Sequence, residues 1–268
     1  MAPHLYHRVV LRTEFAAYSF LQALASERVP LRRAMVHTLV VPRVRYAPYH
    51  FLAVKENGAN EAKFEAEGYY QDGPYAKQLH EMIRWLNHPT CRESWQNLLI
   101  HQGLLTVSST CQMPRQLTIT GVGEISWVYF GCSNVRRLRF PDYMTSFRQA
   151  RYMWTLFKSL THLGMVVYME PPITRRIVDA LLRSPTLERL AVVILPPPSV
   201  PSNAARSMGN AIYRELFEVD DERLVVLEEE ISLLKMLRQS DDAPFWGRVD
   251  RVAKHIKENG KFKPPYFL

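Results

Sequence analysis

The chain has 268 residues, of which 47% are hydrophobic and 22% charged, and its formal net charge is +8. This composition excludes a mostly disordered chain, and no apolar run reaches the roughly 18–20 residues that a membrane-spanning helix needs. The first residues lack the apolar core of a signal peptide, and the three cysteines form no CxxC pair. We therefore expect an intracellular protein with reduced, structural cysteines.

The charge is unevenly distributed along the chain. Residues 1–55 have a net charge of +6, whereas residues 218–230 have a net charge of −6. The bases are single arginines interleaved with apolar residues, without the clustered stripe or motif of a nucleic-acid-binding domain. We expect solvated faces or an acidic protein partner rather than nucleic acid.

The first elements form a strand–helix–strand unit. Residues 4–11 alternate and are rich in strand-forming types, so they predict a strand. Thr13 is a candidate N-cap for the helix that follows, which ends before Pro30. The second strand is predicted at 36–41.

The middle of the chain is less regular. Residues 55–76 are polar and rich in turn-forming types, which predicts a long surface loop. Apolar residues at a spacing of three or four predict a helix over 77–87, and a second helix is predicted at 93–107. Pro114 precedes a strand predicted at 115–120.

From there strands and helices alternate. Strands are predicted at 135–140, 160–168 and 187–195, with helices at about 145–158 and at 173–183 between them. Three consecutive prolines begin a loop predicted over 196–208. The last elements are a short helix at 209–217, a strand at Arg223–Leu227 and a helix from Phe245 to about Asn259, with Gly260 as its C-cap.

The strands share a repeated pattern, in which an apolar residue is followed by two variable residues, an apolar, a variable and an apolar residue. It occurs in Val36–Val41, Val135–Phe140, Leu160–Met165 and Leu187–Val192, and in Pro114–Ile119 except at its first position. The central leucines from Leu117 onward are 21, 25 and 27 residues apart. A strand signature with this period predicts a leucine-rich-repeat array.

The fold class is therefore predicted to be α/β, an irregular leucine-rich-repeat-like solenoid with a mainly parallel sheet and helices on its convex face. One domain is predicted over 1–268. It has an irregular part at 1–113, the most regular repeats at 114–195, and a loop and capping segment at 196–268. Phe245 and Trp246 are predicted to be core or capping residues.

The variable positions beside each central leucine point away from the core, because side chains alternate along a strand. In a solenoid they lie on the concave sheet and carry the specificity. We therefore predict a basic partner-binding strip, since arginine can grip a carboxylate or phosphate with two hydrogen bonds. Its members are Gln116, Arg137, Arg139, His162 and Arg189.

No pattern in the chain predicts catalysis. Gly121-Val122-Gly123 lacks the third glycine of a phosphate loop, and His4, His7 and His162 have no acidic residue at a matching spacing. The acidic runs lack the glycines that punctuate calcium loops. We expect no catalytic residues, no metal and no cofactor.

Several segments resemble the fungal F-box and F-box-like leucine-rich-repeat proteins. They are Leu5–Leu11, Leu160–Leu163, Leu187–Leu190, Asp221–Val226 and Phe245–Arg248. The resemblance implies a substrate-recognition domain that binds a protein partner. Only three residues precede His4, so the F-box helices are expected to be absent, and we do not expect docking onto a cullin-type ubiquitin ligase.

The expected function is therefore non-catalytic protein recognition, with an acidic or phosphorylated partner and no membrane. The alternative is a small-molecule enzyme or a nucleic-acid-binding protein on an unrelated α/β fold. The two differ in strand order: a repeat array places the strands of Leu117, Leu138, Leu163 and Leu190 side by side in sequence order. A doubly wound enzyme reverses the order at a switch point.

Overall fold

The protein has one parallel sheet with helices along its length. The computed structural model describes residues 7–11, 14–26, 36–41, 81–88, 95–101, 114–120, 132–143, 157–167, 171–194, 202–227 and 243–260. Its eight strands are all parallel and hydrogen-bonded in sequence order. They are β1 (Arg8–Val10), β2 (Thr38–Val41), β3 (Asn97–His101), β4 (Gln116–Thr120), β5 (Arg137–Tyr143), β6 (His162–Val167), β7 (Arg189–Ile194) and β8 (Leu224–Leu227).

Four helices are described in full. They are α1 (Glu14–Ala25), α2 (Pro171–Leu182), α3 (Ser202–Phe217) and α4 (Ala243–Asn259). Residues 81–86 are also helical, and Cys132–Asn134 forms a 3-10 turn. In the part of the chain that the structure describes, no helix has the length and apolar character needed to span a bilayer.

One face of the sheet, the core face, is built on a row of central apolar residues in register. The row contains Val9, Leu39, Leu98, Leu117, Leu138, Leu163, Leu190 and Leu224. Phe20 of α1, Ile177 of α2 and Leu216 of α3 belong to the same buried cluster. The apolar pattern of the repeats therefore builds the main core between the sheet and these three helices.

The residues just before each strand connect neighbouring repeats through backbone hydrogen bonds. The carbonyl of Arg115 accepts hydrogen bonds from the amides of Arg136 and Arg137, at 2.8 and 3.0 Å. The carbonyl of Arg136 does the same for the next strand, with Thr161 and His162. These carbonyls at the amino end of the sheet are therefore already hydrogen-bonded within the protein.

The opposite face, which we call the second face, is covered over its carboxyl-terminal strands by α4. Phe245, Trp246 and Val249 are at most 1% exposed. They share a buried cluster with second-face residues of β6–β8, namely Val166, Ala191, Val193, Val225 and Leu227. Strands β6 and β7 are therefore buried on both sides, which explains why their sequences are almost continuously apolar.

The end of α2 is fixed by an arginine of the turn before β8. Arg223 donates to the carbonyls of Leu182, Ser184 and Leu187 at 2.6–3.3 Å. Its guanidinium also forms a 2.6 Å salt bridge with Asp221. This hydrogen bond raises the pKa of Arg223 above its usual value. The charged pair thus satisfies carbonyls that the end of the helix leaves open.

Most predicted elements are confirmed, including the order of the strands. The central leucines from Leu117 to Leu190 lie on adjacent strands in sequence order. The strands β1, β2 and β4–β8 and the helices α1, α2 and α4 occur where the sequence predicts them, within a few residues. Gly260 has a positive φ of 79° and follows the last residue of α4, as expected of a C-cap. Phe245 and Trp246 are buried, as predicted.

Two predicted elements are wrong. Of the helix predicted at 93–107, Asn97–His101 form β3 instead, and residues 102–107 lie outside the described residues; Leu98 and Ile100 belong to the main core cluster, and Leu99, between them in the strand, is also buried. A short apolar run buried on both faces has no period that separates it from a helix. The predicted loop at 196–208 contains the start of α3, and the serine and asparagine at 202–203 favour a helix N-terminus.

The position of α4 is a further correction. The sequence predicts helices on one side of the sheet only and a terminal segment that caps the last repeat, whereas α4 packs on the second face. The predicted loop at 55–76, the helix at 145–158, the N-cap Thr13 and the glycine pair at 121–123 lie outside the described residues or mostly so. The division of 1–268 into three parts stays a prediction.

Candidate functional site: the amino-end edge of the sheet

Four of the five predicted binding residues form one row, which we call the outer row. Gln116, Arg137, His162 and Arg189 are aligned as direct partners on β4, β5, β6 and β7. All four are half-buried. The parallel register brings them together because each occupies the same position of the repeat, about 4.8 Å from its neighbour across the strands.

The fifth predicted residue, Arg139, does not belong to an exposed surface. Its side chain is 0% exposed, and its guanidinium carbon lies 5.4 Å from the centre of the Phe245 ring. Its neighbour on β6 is Gly164, which leaves the space that the Phe245 ring occupies. The prediction of an exposed Arg139 is wrong, because α4 closes this part of the second face.

Trp246 joins α4 to the outer row. The guanidinium of Arg137 lies 5.8 Å from the centre of the indole ring, and the His162 ring meets the indole edge-on at 5.4 Å. A cation over an indole face gains roughly 0.5–1 kcal/mol at partly exposed sites. The outer row is therefore bordered on one side by α4, and the aromatic side chain fixes the position of its two central members.

The His162 ring is held in a mixed electrostatic environment. Its Nδ1 atom lies 2.8 Å from the hydroxyl of Thr161. Burial, and then the charge of Arg137, lower the pKa of His162, while Glu188 and Asp250 act in the opposite direction. The lowered pKa favours the neutral form of the ring, which acts here as a polar contact rather than a charge.

A second row of side chains lies directly before the strands, and we call it the amino-end row. It contains His37, Gln96, Arg115, Arg136, Thr161 and Glu188. Arg115 and Arg136 are exposed and lie next to the outer row. Sequence reasoning considered only the positions that flank the central leucine. The consecutive arginines Arg136 and Arg137 were the available signal for this row.

The row ends in a polar cluster near β1. The rings of His7 and His37 stack at 4.6 Å with an angle of 6° between their planes. The side-chain amide of Asn97 lies 3.3 Å from the Nδ1 atom of His37 and donates to the hydroxyl of Thr38 at 3.3 Å. Thr38 and Asn97 are buried, so this end of the row is a packed structural contact.

The chemistry of the edge is that of hydrogen-bond donors. Arginine guanidinium and indole N–H groups only donate, and the buried indole N–H of Trp246 has no hydrogen-bond acceptor among the residues that the structure describes. Within the described residues, no three His, Cys, Asp or Glu side chains come together in a way that could hold a metal ion. The arrangement suits the binding of a group rich in oxygen acceptors.

The chain was compared with protein-family models, with curated proteins and with solved structures. None of the three comparisons gives a match.

Proposed function

We propose that the protein is a non-catalytic protein-recognition module built as an irregular leucine-rich-repeat-like solenoid. Its role would be similar to that of the substrate-binding part of F-box-like proteins, inside the cell, with an acidic or phosphorylated protein partner. The outer row of Gln116, Arg137, His162 and Arg189 would contact the partner, and Arg139 is removed from that set.

The alignment of the outer row across four consecutive strands is the observation that carries this proposal. A surface made of equivalent positions in successive repeats is how repeat proteins offer an extended binding site. The strand order counts against the alternative of a doubly wound enzyme. Such a sheet binds its ligand where the strand order reverses, and the eight described strands contain no reversal.

The test compares proteins captured from the native cells by the wild-type chain and by R137E/R189E, identified by mass spectrometry. The matched control is R176E/R183E, which makes the same change of charge at exposed positions of α2 and the turn after it. We expect the first variant alone to lose a defined set of partners while it keeps its melting temperature. Capture of the same proteins by all three forms would contradict the proposal.

A further inference from the structure

The amino-end edge contains arginines whose charges are not neutralised within the described part of the chain. The guanidinium groups of Arg115 and Arg136 have neither an ion-pair partner nor a hydrogen-bond acceptor there, and the guanidinium of Arg137 lies 5.8 Å from the centre of the Trp246 ring without an ion-pair partner among the described residues. By contrast, Arg175 and Arg223 are both paired with aspartates. Arg175 and Arg223 thus have ion-pair partners within the chain, whereas the three arginines of the edge have none among the described residues.

We propose that Arg115, Arg136 and Arg137 bind an extended run of aspartates or glutamates in a partner protein. This inference rests on the proposed recognition function and adds the class of ligand, the position of the site and two residues, Arg115 and Arg136. The bound segment crosses the strands at their amino ends instead of lying across the second face, which α4 covers over β6–β8.

The distances across the sheet set the length of the bound segment. Arg115 lies just before β4 and Arg136 and Arg137 lie at the start of β5, one strand spacing of about 4.8 Å away, and an extended chain rises about 3.3 Å per residue. Three consecutive residues extend over about 7 Å from the first to the third, so about three acidic residues cover these two strands. A guanidinium accommodates a carboxylate with two parallel hydrogen bonds, so three carboxylates can be held by three arginines.

The neighbouring charges define where the acidic run ends. Glu188 lies just before β7, and both Glu188 and Asp250 are exposed and act on His162. These carboxylates repel an acidic residue placed over β6 and β7, whereas none of the described carboxylates forms an ion pair with Arg115, Arg136 or Arg137. The site therefore favours acidic residues over β4 and β5, and uncharged residues beside His162.

The backbone of the edge supports a side-chain mode of binding. The carbonyls of Arg115 and Arg136 already accept two amides each from the following repeat. A partner segment therefore cannot add itself as a strand here, and specificity depends on the guanidinium groups. Binding of this kind weakens steeply as the salt concentration rises.

The experiment measures binding of the full chain to a fluorescein-labelled peptide with three consecutive glutamates by fluorescence anisotropy. The same peptide with three glutamines is the reference. We expect the glutamate peptide to bind at least 10-fold more tightly at 50 mM salt, and R115E/R136E to lose at least 10-fold of that affinity. The control R176E/R183E, with the same change of charge elsewhere, should alter the affinity less than 2-fold.

Equal affinity for the two peptides, or equal losses in the two variants, would overturn the inference. R115A/R136A provides a second variant if R115E/R136E fails to fold, because it introduces no new charge and removes no hydrogen bond or ion pair found among the described residues. A labelled uridine oligonucleotide that binds more tightly than the glutamate peptide, and is lost in the same variant, would overturn it in favour of nucleic acid. Self-association of the wild-type chain that R115E/R136E abolishes would overturn it in favour of a second copy.

The outcome separates this inference from the proposed function. If R137E/R189E loses protein partners while the glutamate peptide does not bind, the recognition function stands and the acidic ligand is wrong. If the peptide binds but no protein is captured through the outer row, the recognition function fails on its own test.

Discussion

The core face and the second face of the sheet are both apolar over β6–β8, yet they are covered in different ways. Helices that lie between the strands in sequence, such as α2 and α3, cover the core face. The second face is covered by α4, whose Phe245 follows its contact Gly164 by 81 residues. The helices on the core face recur with the strands along the sequence, whereas the packing of α4 on the second face depends on a contact between distant segments.

The comparison shows that α4 alone determines whether Arg137 and Arg139 on the second face reach solvent. Arg137 and Arg139 are two residues apart on the same face of β5, so the repeat pattern treats them alike. Phe245 covers Arg139, while Arg137 lies at the edge beside Trp246. The binding surface is therefore an edge of the sheet, bordered by α4, rather than the whole second face.

The largest expected effect concerns the core face, through Leu163→Ala. Leu163 is 0% exposed in the central leucine row, so its truncation should lower the free energy of unfolding by about 3–4 kcal/mol. Leu227→Ala on the second face of the last strand makes the same chemical change, and we expect about 2 kcal/mol because the end of β8 can relax. Urea denaturation measures both, and equal losses would show that the two faces are equally well packed.

The second-largest effect is expected for Arg223, which binds backbone carbonyls at the end of α2 and in the turn after it. Arg223→Ala should lower the free energy of unfolding by about 2–3 kcal/mol, because three carbonyls and Asp221 lose their donor. Arg84→Ala removes an exposed pair with Glu81 and should change it by less than about 0.5 kcal/mol. A loss of the same size in both variants would contradict a special role for Arg223.

The third prediction separates the second face from the core face through Gly164→Ala. A Cβ atom at position 164 would lie 2.8 and 3.0 Å from two ring atoms of Phe245, so α4 must shift. We expect a loss of about 1–3 kcal/mol and faster hydrogen exchange in residues 243–259, with little change in α2. Mass spectrometry of the exchanged peptides measures this.

The matched control for that variant is Gly247→Ala within α4. A Cβ atom there would meet only the end of the Arg251 side chain, at 3.8 Å. Since alanine favours a helix over glycine by about 1 kcal/mol, this variant should slow exchange in α4. If both variants speed up exchange, the close approach of Phe245 to Gly164 is not what positions the helix.

The smallest expected effect is the pH dependence of stability that His162 causes at the amino-end edge of the sheet. Because the pKa of His162 is lowered in the folded chain, the unfolded chain binds the proton more readily. The contribution of this group to stability is present above pH 6.5 and is lost as the pH falls from there through the folded pKa. His162→Gln should therefore flatten the decline of the melting temperature between pH 7 and pH 5, and an unchanged slope would contradict this.

The regular strands could be predicted from the sequence because each repeat carries its own apolar signal. β4–β8 follow from the position of their central residues, and the strand order follows from the period. β3 was missed although Trp95–Ile100 fits the same pattern as Val36–Val41, because an apolar run of this length is also compatible with a helix. The start of α3 was missed because proline, serine and asparagine favour both loops and helix N-termini.

The candidate site was predicted in part for a similar reason. The alternation of side chains identified Gln116, Arg137, His162 and Arg189 as neighbours. The same alternation placed Arg139 among them, because it does not reveal that α4, from a distant part of the chain, buries Arg139. A usable signal was present in Gly164 and Ala191, small residues at positions that an open sheet would leave to solvent, together with the aromatic pair at 245–246.

The sequence by itself determined the parallel α/β architecture, the row of central leucines and the neighbours across the strands, because these follow from local periodicity and the spacing of repeats. Only the tertiary structure decided which part of the second face stays accessible. That outcome depends on the packing of Phe245 into the space beside Gly164, a contact between distant segments that no local pattern encodes. At the edge that this packing leaves uncovered, Arg137 meets Trp246.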